Sequence, residues 1–214
     1  HTRANSLSRQ LGVYFLLAVV FVAGLLLALN QLAGLMGTAT QEAQAVDFAN
    51  NSISAVLREE PPQLDSSKAT DSTSGLVLGH IMEGLLRMDL QDRLGPAIAE
   101  RWEVMPTQAT FWLRKDAKWS DGKAITAADF IFAWQLALKP ETGSEYASLL
   151  YPIENAEAIN SGVLPASALG VSAPDPQTLV VKLSRPTAFF DKLVVFPTFL
   201  PIREDFYNAT QGRF

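Results

Sequence analysis

The longest uninterrupted apolar pattern lies near the start of the chain. From Leu11 to Leu29, "LGVYFLLAVVFVAGLLLAL", 19 residues carry no charge and no strongly polar side chain. As a helix this run would measure roughly 28 Å, about one hydrocarbon thickness. Beyond it the pattern shortens and alternates. Val77, Leu78, Ile81, Met82, Leu85 and Leu86 recur at helical spacing, with Gly84 expected to end the helix and Leu85 to Met88 to open a strand. "GPAIAERWEV" (Gly95 to Val104) suggests a short helical turn running into an extended segment. Thr110 to Arg114 places Phe111 and Leu113 on one side and Thr110, Trp112 and Arg114 on the other, the period of a half-buried strand.

"SDGK" (Ser120 to Lys123) follows as a turn, in which Asp bonds its own backbone and Gly takes a positive φ. Thr126 then reads as an N-cap with Asp129 three residues on, so a helix over "AADFIFAWQLALK" would bury Phe130, Ile131, Trp134 and Leu138 until Pro140 stops it. Ile153 to Asn160 predicts a short helix before Gly162. "SAPDPQTLVVKLS" predicts a turn and a strand with Leu179, Val181 and Leu183 on one face. Ala188 to Ile202 starts helical and is broken by Pro197 and Pro201. "GTATQEAQAVDFANNS" (Gly37 to Ser52) reads as a tether, and "REEPPQLDSSKATDSTSG" (Arg58 to Gly75) as turn-rich. The elements mix α and β without regular βαβ alternation.

Composition adds direction. Arg3 and Arg9 precede the apolar run, while Glu42 and Asp47 are the first charges after it, so the positive-inside bias puts the N-terminus in the cytoplasm and the rest outside. The run exceeds a signal-peptide core of about 7–15 residues, although "AQA" (Ala43 to Ala45) has the form of a cleavage site. An uncleaved anchor is the reading adopted. A net charge of -5 and a pI near 5.1 argue against nucleic acid. With no cysteine there is no lipid-attachment site, disulfide or thiolate metal site.

Candidate chemistry is thin. His80 sits mid-helix among apolar neighbours and reads as a core or surface imidazole. Glu59, Glu60, Glu204 and Asp205 form two adjacent-charge clusters of the kind that usually make a solvated face. Arg114, Lys115, Asp116 and Lys118 stand beside Trp112 and Trp119, and all four tryptophans fall within 33 residues, which suits a dense core or a ligand wall.

Read together, "GPAIAERWEV", "TFWLRKDAKWSDGKAITAADFIFAWQLALKPETGSEYASLLY", "ALGVSAPDPQTLVVKLSRPTAFFDKL" and "FPTFLPI" closely resemble the oligopeptide-binding proteins, the solute receptors of ABC peptide importers. The block LR-x(3)-KWSDG-x(3)-TA-x-DF-x(3)-WQ is specific, and the resemblance runs from about Ser54 onward. It implies an α/β, type II periplasmic-binding-protein fold, non-enzymatic and without cofactor. Two lobes would close over an extended peptide held through its main chain.

Matched to that plan, residues 1–10 would be cytoplasmic, 11–35 a transmembrane anchor in the inner membrane and 36–49 a tether. Residues 50–82 would start lobe I, 83–201 form a smaller inserted domain, and 202–214 return to lobe I, cut short and without the second lobe. "KATDS" aligns with the family segment whose backbone pairs with peptide, nominating Thr70, Asp71 and Ser72 as ligand contacts. Tyr146 in "GSEYAS" aligns with an aromatic that borders ligand, whereas "KWSDG", with Trp119, reads as fold-forming. The implied partners are an oligopeptide and the permease subunits of an ABC transporter, on the periplasmic side of the inner membrane. Two other readings stay open: an anchored interaction subunit without ligand, and an anchored enzyme acting on cell-wall peptide through the carboxylates above.

Overall fold

The structure is a computed structural model that describes residues 14, 16–31, 46–54, 56, 57 and 59–212. The chain divides into two units, residues 1–56 and 57–214. In the first, residues 14 and 16–31 are helical (α1) and their side chains are exposed, Phe21 at 71%. The other residues of the expected anchor at 11–35 lie outside the described residues. Among the described residues no helix is long and apolar enough to cross a membrane. Further along, β1 (Val46–Asp47) pairs antiparallel with β2 (Ser52–Ile53). The Asp47 carboxylate accepts from Ala49 N at 3.0 Å and Asn50 Nδ2 at 2.7 Å. The Asn50 side chain foremost holds that carboxyl below its ordinary value. This hairpin runs across the boundary expected at residue 50.

In the second unit the order is α2 (Ser72–Ile81), β3 (Leu86–Met88), β4 (Leu94–Pro96), β5 (Ala99–Met105), β6 (Gln108–Leu113), α3 (Ala127–Leu138), α4 (Ala156–Asn160), β7 (Val171–Asp175), β8 (Thr178–Lys182), α5 (Phe190–Leu193) and α6 (Glu204–Thr210). Short 3-10 turns at Pro140–Thr142, Ala147–Leu150, Ala166–Ala168 and Pro197–Phe199 link them. One sheet is a β3–β4 hairpin, the other a four-stranded antiparallel sheet in the order β5-β6-β8-β7. The mixed α/β class is as expected.

The period-2 pattern of β6 buries Phe111 and Leu113 as anticipated, and β8 buries Leu179 and Val181, opposite Phe111 and Ala109 in register. Helix α3 covers this face with Phe130, Trp134 and Leu138 fully buried, while Ile131 is half-buried. Trp134 is the centre of the core. Its ring meets Phe199 edge-on at 5.4 Å and Phe130 at 6.4 Å, and its Nε1 donates to Phe199 O at 3.1 Å. Edge-to-face contacts of this kind add to the area an indole removes from water. Trp102 packs partly against the same core, whereas Trp112 lies on the outer face under Arg101, whose Cζ is 3.5 Å from the ring centroid.

Three local expectations need correction. The helix read around Leu76 to Met82 begins earlier, because Asp71 Oδ1 accepts from Ser74 N at 2.8 Å and opens it at Ser72. It also ends before Gly84, since Met82 is already extended. "GPAIA" is not helical: Leu86 faces Pro96 in the β3–β4 hairpin, and Ile98 N and Ala99 N donate to Gly84 O and Leu85 O at 3.0 and 2.9 Å. Small apolar residues fit either conformation, and these partners decided. The "SAPD" read as a turn is strand β7, at the sheet edge, where a proline costs no ladder bond.

Candidate functional site

The site is best built from the turn at Ser120–Lys123. Trp119 N donates to Lys123 O at 2.8 Å, Gly122 N to Trp119 O at 2.9 Å, and Lys123 N to Asp121 Oδ1 at 3.1 Å. Gly122 sits at φ +85°, which a side chain would strain. The turn thus does the fold-forming work expected of "KWSDG", and it also presents Trp119 sideways. The indole is half-buried, and its buried Nε1 is turned toward the Asp129 carboxylate at the start of α3.

Trp119 forms one wall of a groove of about 190 Å³ with Leu64, Ser66, Ile81, Met82, Pro201, Ile202, Arg203 and Phe206. Ile81, Met82, Trp119 and Pro201 also line an adjoining hollow of about 300 Å³ that ends on His80, Glu83, Arg114 and Lys118. One half of this depression is apolar and the other charged. At the charged end Arg114 Nη2 donates to Glu83 Oε2 at 2.6 Å and Nη1 to Asp116 Oδ1 at 3.3 Å, while Nε meets Ala97 O at 3.1 Å. Glu83 foremost raises the guanidinium's affinity for its proton. His80 is exposed in the last turn of α2, with Nδ1 2.7 Å from Leu76 O.

Beside the groove the chain buries unusual polarity: Asp65, Ser66 and Ser67 are all inaccessible. Asp65 Oδ1 accepts from Ser67 N at 2.9 Å and from Ser67 Oγ at 2.6 Å. Its Oδ2 has no hydrogen bond, only the Lys68 Nζ at 3.6 Å. A buried acceptor left this way is costly unless something else satisfies it.

The four nominated ligand contacts fall elsewhere. Thr70 and Ser72 are exposed at the start of α2, and Asp71 is its N-cap, its carboxyl held below the ordinary value by Ser74. Tyr146, 46% exposed, heads the 3-10 turn at Ala147–Leu150. None of them lines the groove. Of the groove's own residues, Ile81 read only as a helix position and Arg203 and Phe206 carried no signal as a site, because three stretches of chain far apart in sequence meet there. The carboxylates do not gather: Glu59 accepts from Thr73 Oγ1 at 3.2 Å, while Asp205 is paired with Lys123 and Arg203. Among the described residues no group of three His, Cys, Asp or Glu could hold a metal ion.

The groove thus sits on a mixed α/β fold, between α2, the KWSDG turn and the start of α6. Residues 93–213 match the model described as bacterial extracellular solute-binding proteins, family 5 middle, more than half of the chain, and the protein belongs to that family. It is a family of solute-binding receptors, not of enzymes. The periplasmic oligopeptide-binding protein OppA of Escherichia coli K12 is 41% identical over 146 residues, 67% of this chain and 27% of its own length. The probable deoxycholate-binding periplasmic protein YgiS of the same strain is 38% identical over 147 residues, 67% of this chain and 28% of its own. Among solved structures, the substrate-binding domain of an oligopeptide ABC transporter from Bacillus anthracis Ames superposes with a TM-score of 0.71 at 44% identity, covering 73% of this chain and 30% of that one. The chain spans about three-tenths of the length of these relatives.

Proposed function

We propose that the protein is part of an extracytoplasmic receptor that captures oligopeptides and delivers them to an ABC importer. The observation that carries this reading is the 41% identity to OppA over a stretch that includes the whole KWSDG block. In this reading residues 50–82 open the first lobe, 83–201 form the smaller inserted domain and 202–214 return to the first lobe, as one part of a two-lobed receptor. Thr70, Asp71 and Ser72 would meet the peptide through their backbone, and Tyr146 would border it; the exposure of Thr70, Ser72 and Tyr146 supports that role. The uncharged run from Leu11 to Leu29 supports an anchor over residues 11–35, which would keep the receptor beside its permease and raise its effective concentration there.

The test is thermal melting of the protein with a mixture of short random peptides, with deoxycholate, and with neither. A ligand that binds the folded state at a hundred times its Kd adds about 2.7 kcal/mol, so peptides should raise Tm clearly. A rise with deoxycholate alone would replace the ligand class, and no rise with either would favour an interaction subunit. The anchor is tested by alkaline extraction of membranes, where the protein should stay in the pellet and a variant lacking residues 11–35 should not.

A further inference from the structure

The four charges around the KWSDG turn form three ion pairs, and the turn's own bond from Lys123 N to Asp121 Oδ1 closes them into a ring. Arg203 Nη1 donates to Asp121 Oδ2 at 2.5 Å and its Nε to Asp205 Oδ1 at 2.5 Å, while Lys123 Nζ donates to Asp205 Oδ2 at 2.6 Å. Asp121 and Lys123 belong to the turn, Arg203 and Asp205 to the start of α6, 82 positions later. The turn therefore grips α6 through both of its charged residues at once.

We propose that Asp121, Lys123, Arg203 and Asp205 are a clasp that sets the position of α6 against Trp119 and so the width of the groove. Arg203 and Phe206 supply the α6 side of that groove and Trp119 the other. The indole is half-buried and one of its faces lines the groove, so its environment reports on what stands opposite. Helix α6 and the residues leading into it are also attached to α3. Tyr207 meets Phe132 of α3 edge-on at 5.7 Å, and Ile202 N donates to Asp129 O at 3.2 Å. The helix is thus tethered to α3 independently of the clasp, which fixes how it lies over the turn.

The ring is only partly screened from water, with Arg203 20% exposed and its partners between 44% and 58%. Isolated exposed pairs contribute little, but an arginine forked between two carboxylates in a closed network has the geometry in which such pairs count. The fork also explains why arginine stands here, since a lysine has one point of charge and cannot span both acids in the same way. The clasp stands whether or not the ligand is a peptide. With the boundary proposed at residues 201 and 202, it also crosses between the smaller domain and the returning segment, where it would resist hinge motion.

The experiment uses the protein labelled with 5-fluorotryptophan, the Trp119 resonance being assigned by W119F, together with hydrogen exchange of the α6 amides. Arg203→Ala should shift the Trp119 resonance and speed exchange across residues 205–210 about tenfold, while the Trp134 resonance stays in place. Arg203→Lys should fall between. Lys123→Ala, which removes a single exposed contact, should shift Trp119 in the same direction by less. Raising salt to about 1 M, where the screening length falls to about 3 Å, should reproduce the Arg203→Ala changes in the unaltered protein. Unchanged Trp119 and α6 signals in Arg203→Ala, or changes in Lys123→Ala and at high salt that reach Trp134 equally, would overturn the clasp. No ligand is present in any arm, so failure here is distinct from failure of the peptide reading.

Discussion

Two regions of the second unit solve the burial problem in opposite ways. Between α3 and the four-stranded sheet, aromatic and aliphatic side chains meet one another. At its centre the Trp134 indole N–H finds a carbonyl. Between Leu64 and Met82 the arrangement is inverted. Asp65, Ser66, Ser67 and Ser74 are buried, while Leu76 and Ile81 are 51% and 65% exposed, and Ala69 and Leu78 cluster with the distant Leu200. The first region is complete in itself. The second leaves apolar side chains in water while it holds a carboxylate and hydroxyls inside.

The largest test of that contrast is Trp134→Ala. Removing a fully buried indole leaves a cavity and an orphaned Phe199 carbonyl, and should cost about 3–5 kcal/mol. Denaturant unfolding followed by near-UV circular dichroism reads it. If the core were as loosely specified as the 64–82 segment, the loss would be far smaller. Asp65→Ala comes next. It strips Ser67 N and Ser67 Oγ of their acceptor and should cost about 1–3 kcal/mol, with hydrogen exchange rising across residues 65–81 and not in the sheet. Asp65→Asn keeps the Oδ1 acceptor and should lose less; equal losses in the two variants would show that the carboxylate's hydrogen bonds are not what holds the segment.

Gly122→Ala should cost about 1–2 kcal/mol, the penalty of a side chain in the left-handed region, because nothing else lies near the added methyl. Its effect should appear at Trp119 rather than Trp134. The smallest effect is acid sensitivity at α6. Lys123 foremost, with Arg203, pulls the Asp205 carboxyl down to about 2, and Arg203 does the same in direction for Asp121. A carboxyl depressed in the folded state contributes stability above its ordinary value near 4, and that contribution is lost as pH falls through about 2. Burial raises the carboxyl of Asp129, under the same helix start, so its protonation on acidification acts with the opposite sign. Exchange at α6 should therefore rise between pH 4 and pH 2 while the β6 and β8 amides hold.

Some of this was legible in one dimension because the physics is local. A period of two in β6, an Asp-Gly turn and a Thr-x-x-Asp start each fix a few adjacent residues: Phe111 faces in, Gly122 takes φ +85°, and Asp129 Oδ2 accepts from Thr126 N at 2.8 Å. Other elements were not legible because their cause lies far along the chain. "GPAIA" is extended because Gly84 and Leu85 offer carbonyls, and β7 is a strand because β8 lies beside it. Helix α6 read as a cluster of charges.

By itself the sequence determined the family, through a block specific as a whole, and with it the class of binding protein. It also determined the mixed α/β character and the course of β6, the turn and α3. Only the tertiary structure decided that Asp121 and Lys123 reach across 82 positions to Asp205 and Arg203, and that Trp119 faces Phe206 over a groove. Backbone preferences act over three or four residues, whereas ion pairs and grooves form between segments whose spacing in the chain records nothing of their distance in space.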